Sequence, residues 1–336
     1  MLRTITRTAV AAIALVPATV FAQTYTCNTN QECQAIQGTQ SLEPRYGGAN
    51  SMQFQAAAVA LDLQEPELET DTGTKQEGDS DTIGGAFTYG KAGFQKSQRY
   101  ELRYQHARRF KEGSRARLLI DVPLAISHAN QYSVIFNLGG PPSAPVKLDG
   151  GTAVYGTISA GVELPVTPDF LVTPRVAYSN LQAGAFFAFD AELLTTSVTT
   201  RYKLPQVGRG DLTFGGMVAY SHQIDTFLSK QPFFQNDDYW TLRGGLAYQL
   251  PLKRRMFGRQ SSVRASYVFT YLTGVPGQFY KDVHEVGLNI GVRTREAEQK
   301  NRFEQMRVGV LYTHARNRFF SQASSDAATL TLGYRF

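Results

Sequence analysis

From Ile83 to the C terminus, apolar and polar residues alternate with a period of two. That spacing sorts them onto the two sides of an extended chain, because successive side chains of a strand point to opposite faces. Twelve segments carry the pattern, at roughly 82–93, 98–109, 114–127, 151–165, 169–180, 192–204, 210–223, 239–250, 261–273, 282–293, 303–315 and 326–336. Leu118, Ile120, Val122, Leu124 and Ile126 form one apolar stripe, and Val154, Ile158, Val162 and Leu164 form another. Val286, Leu288, Ile290 and Val292 repeat it near the chain end. The intervening positions are mostly Thr, Ser, Gly, Gln and Arg.

A soluble β-sandwich also alternates, but its strands average about five to six residues and bury the apolar face against a second sheet. Most segments here reach about ten residues, the length a tilted strand needs to cross a bilayer. Tyrosines gather towards segment ends (Tyr89, Tyr104, Tyr178, Tyr202, Tyr220, Tyr248, Tyr312, Tyr334), where interfacial girdles belong. Later connections alternate short and long, as periplasmic turns and outer loops do, and 94–97 departs from that trend. An open sheet edge would leave backbone groups unpaired in lipid, so the strands must close. The expected fold is all-β, a twelve-stranded antiparallel transmembrane β-barrel. A short apolar run at 132–138 is a candidate extra strand that fits an external loop.

The last eleven residues, DAATLTLGYRF, set Ala328, Leu330, Leu332, Tyr334 and Phe336 on one face. This ending resembles the closing strand of bacterial outer-membrane β-barrels. The resemblance implies that Tyr334 and Phe336 form the signal read by the barrel assembly machinery. Architecture from about residue 50 onward also resembles autotransporter translocator domains, in which a helix leads through a twelve-stranded barrel. The chain departs from that family in having only about sixty mature residues upstream, too few for an ordinary passenger.

Composition hides the membrane region. Mean hydropathy is −0.26 and the hydrophobic content is 42%, values of a soluble protein. Alternation averages to mild hydropathy, so neither figure excludes a barrel. The one long apolar run lies in residues 1–22, where Arg3 and Arg7 precede AVAAIALVPATV and Val-Phe-Ala precedes Gln23. That is the layout of a secretory signal peptide. Cys27 and Cys33, the only cysteines, are expected to form one small disulfide loop in an exported chain.

Charge divides the chain further. Residues 23–81 hold ten acids and two bases, a net of −8. With +2 in the signal peptide and +6 overall, residues 82–336 carry +12. Ser51 can cap a helix from Met52 to about Leu63, which Pro66 ends. Residues 65–81 have no periodicity and read as a linker. Three domains follow: signal peptide 1–22, acidic segment 23–81, barrel 82–336.

Parity assigns the charges of the lumen. Arg99, Arg103, Arg115, Arg117, Arg175, Arg201, Lys203, Arg243, Arg264, Arg293 and Arg307 are expected inside, with Glu101, Asp121, Glu163 and Glu285 as the inward acids. Such a wall attracts anions through its summed field, or its arginines pair with the acids and stiffen the barrel. The first use predicts a passive, anion-favouring channel for small solutes in the outer membrane, occluded by the acidic segment acting as a plug. The second predicts a non-conducting, translocator-like anchor that acts through its loops. Aromatic groups at Phe186-Phe187 with Phe189, Phe233-Phe234, Phe279-Tyr280 and Phe319-Phe320 could serve such loops.

Enzyme signatures do not assemble. Outer-membrane phospholipases place Ser two residues from His on a strand, and no histidine here has that neighbour. Asp79-Ser-Asp81 and Asp282-Val-His284 match omptin-type protease strings but fall at opposite ends of the expected barrel, out of hydrogen-bond reach. No cofactor or metal ligand set is indicated. The arginines alternate along strands, so nucleic acid is not an expected partner. Membrane lipid, the assembly machinery and small anionic solutes are.

Overall fold

The computed structural model describes residues 79–92, 95–111, 114–133, 146–184, 189–224, 239–252, 255–256, 258–273, 280–293, 306–317 and 325–335. The signal peptide, nearly all of the acidic segment with its expected helix and disulfide, the loop aromatics other than Phe189 and Tyr280, and Phe336 lie outside them.

Twelve strands form: β1 (Ser80–Ala92), β2 (Gln95–Arg109), β3 (Arg117–Ser133), β4 (Val146–Pro165), β5 (Phe170–Gly184), β6 (Phe189–Val207), β7 (Gly210–Ile224), β8 (Tyr239–Pro251), β9 (Ser261–Thr273), β10 (Tyr280–Val292), β11 (Met306–Asn317) and β12 (Ser325–Arg335). Each pairs antiparallel with its sequence neighbours, and β1 pairs with β12 to close the barrel. The seam runs from Thr82 opposite Arg335 to Ala92 opposite Ser325, and the Thr88 and Thr329 hydroxyls bond across it at 2.9 Å. Closure leaves no strand edge unpaired, which is the condition for crossing lipid.

Parity acts as the alternation predicts. Ile126, Val154, Ile158, Val176, Val198, Leu246, Val310 and Leu332 point out and are exposed. Their chain neighbours Ala125, Thr157, Ser159, Ala177, Ser197 and Ala247 point in and are buried. Tyr89, Tyr178, Tyr202, Tyr312 and Tyr334 stand on the outer surface, and Tyr220 packs on Trp240 there with ring centroids 5.1 Å apart.

Several strands extend past the segments read from alternation. β3 runs to Ser133, so Tyr132 and Ser133 continue it, and the barrel closes without an extra strand among the described residues. β4 begins at Val146 and β6 at Phe189. Backbone pairing continues above the bilayer, where water no longer demands that one face be apolar, so the periodic signal stops before the strand does. Connections such as 185–188 are correspondingly shorter than the pattern implies.

The β6–β7 turn shows why particular residues sit there. Gln206 and Gly208 have φ of 59° and 67°, in the left-handed region that glycine enters without strain. Tyr248 Oη donates to the Val207 carbonyl at 3.0 Å and ties the turn to β8. A Cβ on Gly210 would run into the Gln249 carbonyl oxygen and the Tyr248 ring.

Candidate functional site: the charged lumen wall

Two carboxylates on neighbouring strands each gather two guanidiniums. Arg103 on β2 donates to Asp121 on β3 from Nε at 2.8 Å and from Nη2 at 2.6 Å. Arg175 on β5 reaches the same carboxylate at 3.3 Å. Arg117 donates from Nε and Nη2 to Glu163 Oε1 at 2.9 and 2.6 Å, and Arg201 Nη2 stands 3.9 Å from the other oxygen. The planar fork of arginine suits such double contacts, which are stronger than neutral hydrogen bonds. Asp121 and Arg175 are 1% and 4% exposed. Buried charges of this kind are tolerated only when paired.

The other charges join the same wall. Arg99 donates to Glu101 at 2.6 Å within β2, and Arg243 on β8 donates to Glu285 on β10 at 2.6 Å. Arg264 and Arg307 are buried among the inward positions of β9 and β11. Lys203 Nζ lies 3.1 Å from Asp211 at the end of the barrel where β1 begins and β12 ends. Asp211 was missed by the sequence reading. It shares the parity of Met217, Ala219 and Ser221 on β7, so carrying the count to the strand's first residues would have found it.

Two expected lumen residues are elsewhere. Arg115 precedes β3 in an exposed turn, because β3 starts three residues later than the alternation suggests. Arg293 follows the last residue of β10, where its backbone N–H and its Nη1 both donate to Gln260, to the carbonyl and side-chain oxygens respectively. Parity holds only inside a strand, and both positions lie at strand ends.

Charge and hydroxyls are not mixed evenly. Arg117, Glu163, Arg201, Lys203, Arg264 and Arg307 stand within a few residues of the strand ends at that same rim. Nearer the other rim the wall turns to hydroxyls, with Thr157 bonded to Ser179 at 2.8 Å and Thr195 to Ser221 at 2.9 Å. Thr241, also there, is completely buried. Inward glycines are covered too: Gly84, Gly90, Gly309 and Gly333 are all buried.

The omptin-like strings stand at opposite rims. Asp81 is in the second position of β1, and Asp282 pairs with Tyr271 near the far end of β10. Among the described residues, no group of three or more His, Cys, Asp or Glu is placed to hold a metal ion.

A closed barrel with an apolar outer belt and a charged interior defines the chain as an outer-membrane β-barrel protein of bacteria. Solved structures agree. The translocator domain of the autotransporter NalP from Neisseria meningitidis aligns with a TM-score of 0.54 and 13% identity, over 87% of this chain and 99% of that one. The β domain of the Bordetella autotransporter BrkA aligns at 0.50 and 9%, over 77% of this chain and 99% of that one. An outer-membrane channel from Pseudomonas putida F1 gives 0.47 and 8%, over 80% and 98%. At these identities the likeness concerns the fold alone, and a fold does not by itself assign a function. No protein-family model and no curated protein matches the chain by sequence.

Proposed function

We propose that the barrel is a passive, anion-favouring channel for small solutes, occluded at rest by its own acidic segment. The observation that carries this reading is the lumen charge. Nine bases (Arg99, Arg103, Arg117, Arg175, Arg201, Lys203, Arg243, Arg264, Arg307) and five acids (Glu101, Asp121, Glu163, Asp211, Glu285) stand at inward positions, and Arg109 shares that parity at the end of β2. A low-dielectric wall of one excess sign concentrates counter-ions and repels co-ions. Occlusion draws on two further facts. Residues 23–81 carry −8 and run into the barrel at β1, which takes up their last two residues, Ser80 and Asp81. Small inward residues are buried, although twelve strands enclose more room than the eight whose side chains fill a barrel.

Planar-bilayer recording of the full chain and of a form lacking residues 23–78 tests the reading. The expected result is anion-favouring steps, rare in the full chain and frequent in the shortened one. Silence from both would overturn the channel, and a cation-favouring reversal potential would overturn its charge basis. The burial of the inward wall also favours a second reading, a permanently filled anchor acting through its loops. Loop trimming within 185–188 or 318–324, between the strands, should then abolish partner capture, whereas it should leave a channel's conductance nearly intact.

A further inference from the structure

The lipid-facing belt is not equally tall around the barrel. Counted within each strand as the outward run of described apolar or tyrosine side chains not crossed by an ionisable one, it spans ten residue steps on β4 (Val154–Leu164), β6 (Leu194–Leu204) and β8 (Trp240–Leu250). On β3, β5, β7 and β9 it spans eight. On β10 (Val286–Val292), β11 (Met306–Tyr312), β12 (Ala328–Tyr334) and β1 (Ile83–Tyr89) it spans six, and on β2 (Tyr100–Tyr104) only four. The short strands are consecutive, because β1 pairs with β12, so they form one face centred on the seam.

Ionisable side chains mark where the short face ends. At one rim, Tyr104 Oη donates to Asp81 at 2.6 Å and His106 Nδ1 lies 2.8 Å from the same oxygen. At the other, Tyr312 Oη donates to Asp326 at 2.6 Å, with His314 Nδ1 2.8 Å from that oxygen. His284 is paired with His314 in the sheet register, bonds Tyr267 at 2.8 Å and has Asp282 at 3.7 Å. All of these face out, and none can sit in hydrocarbon without cost.

At about 3.3 Å per residue and a tilt of about 40°, ten residues cover about 25 Å of membrane normal, and six cover about 15 Å. The usual outer apolar band is about 25 Å. Tilting the whole barrel would raise the belt on one side and lower it on the other, but would not lengthen it. We infer that the seam face, β10 to β2, is seated in a locally thinned lipid annulus, with its Tyr–His–Asp clusters at headgroup level in both leaflets. The partner is the bilayer itself, drawn in at this face by hydrophobic mismatch.

The test is folding of the full chain into phosphatidylcholine vesicles of increasing thickness, from dilauroyl to dioleoyl, read by the gel shift of the unheated barrel. In the variant H106L/H314L, which lengthens the belt on β2 and β11, the ratio of folded protein in thick over thin vesicles should rise several-fold above wild type. H106Q/H314Q, which removes the imidazoles but keeps the rim polar, should retain the wild-type ratio. An unchanged ratio in the leucine variant, or an equal rise in the glutamine variant, overturns the inference. So does failure of the leucine variant to fold in any vesicle while the glutamine variant folds normally, since the histidines would then be structural. Dimers across this face in lipid nanodiscs overturn it as well, by showing that protein rather than thinned lipid covers the seam.

Discussion

Arg103 and Asp121 are 18 residues apart in the chain and meet through two hydrogen bonds of 2.8 and 2.6 Å inside the barrel. The pair is diagonal in the sheet, since Arg103 is opposite Pro123 and Asp121 is opposite Gln105. Replacing Asp121 by Ala leaves Arg103 and Arg175 facing each other without their shared anion. Loss of one partner of a buried pair costs about 3–5 kcal/mol. D121A should therefore lower the denaturant midpoint of the vesicle-folded barrel clearly, and D121N by less, because an amide oxygen still accepts. Urea titration followed by loss of the gel-shifted form measures both.

Salt should loosen the proposed plug. The acidic segment and the basic wall would attract over distances that salt screens, with a Debye length of about 10 Å at about 0.1 M and about 3 Å at about 1 M. The fraction of time the full chain conducts should rise as salt is raised, after correction for bulk conductivity. The form lacking residues 23–78 should show no such rise. Equal salt responses from the two forms would remove electrostatic occlusion.

A charge introduced on β6 should cost according to its depth in the membrane. Val198 is 46% exposed on the outer face of β6, and Val207 ends the same strand beside the turn. V198R should destabilise the membrane-inserted barrel by about 2–4 kcal/mol, and V207R by about 0–1 kcal/mol. Chemical unfolding in vesicles measures the difference, and equal costs would place the bilayer elsewhere.

Gly210 predicts a backbone effect. The side-chain carbon of alanine would meet the carbonyl oxygen of Gln249, a backbone atom fixed by the β7–β8 ladder. G210A should slow folding and destabilise the barrel by about 1–3 kcal/mol, the usual cost of overpacking. Gly258, whose φ is 73° but whose added Cβ meets nothing within 4 Å, should suffer only the conformational penalty, about 1 kcal/mol. The ranking of the two variants in urea checks the assignment.

Alternation made the strand count and the two faces legible, because lipid and lumen impose opposite demands on adjacent residues such as Ile126 and Ser127. It also identified Arg103 and Asp121 as inward. It did not pair them, since pairing depends on register, and register is set by how 110–116 turns. The same limit put Arg115 on the wall when it stands in that turn. The sequence offered the histidines only as catalytic candidates, and their grouping at the rims was not legible for another reason. His106, His284 and His314 are chemically unremarkable one at a time, and become a rim only when the sheet sets them beside Asp81, Asp282 and Asp326.

The bond between Thr88 and Thr329 joins residues 241 positions apart. Until export delivers the final strand, the first has no lasting neighbour on its outer side. Every incomplete state is thus a ribbon with two sticky margins in an aqueous compartment. Shortening the chain at its C terminus by even one strand would leave a ring that cannot shut, and such a product should be degraded instead of inserted.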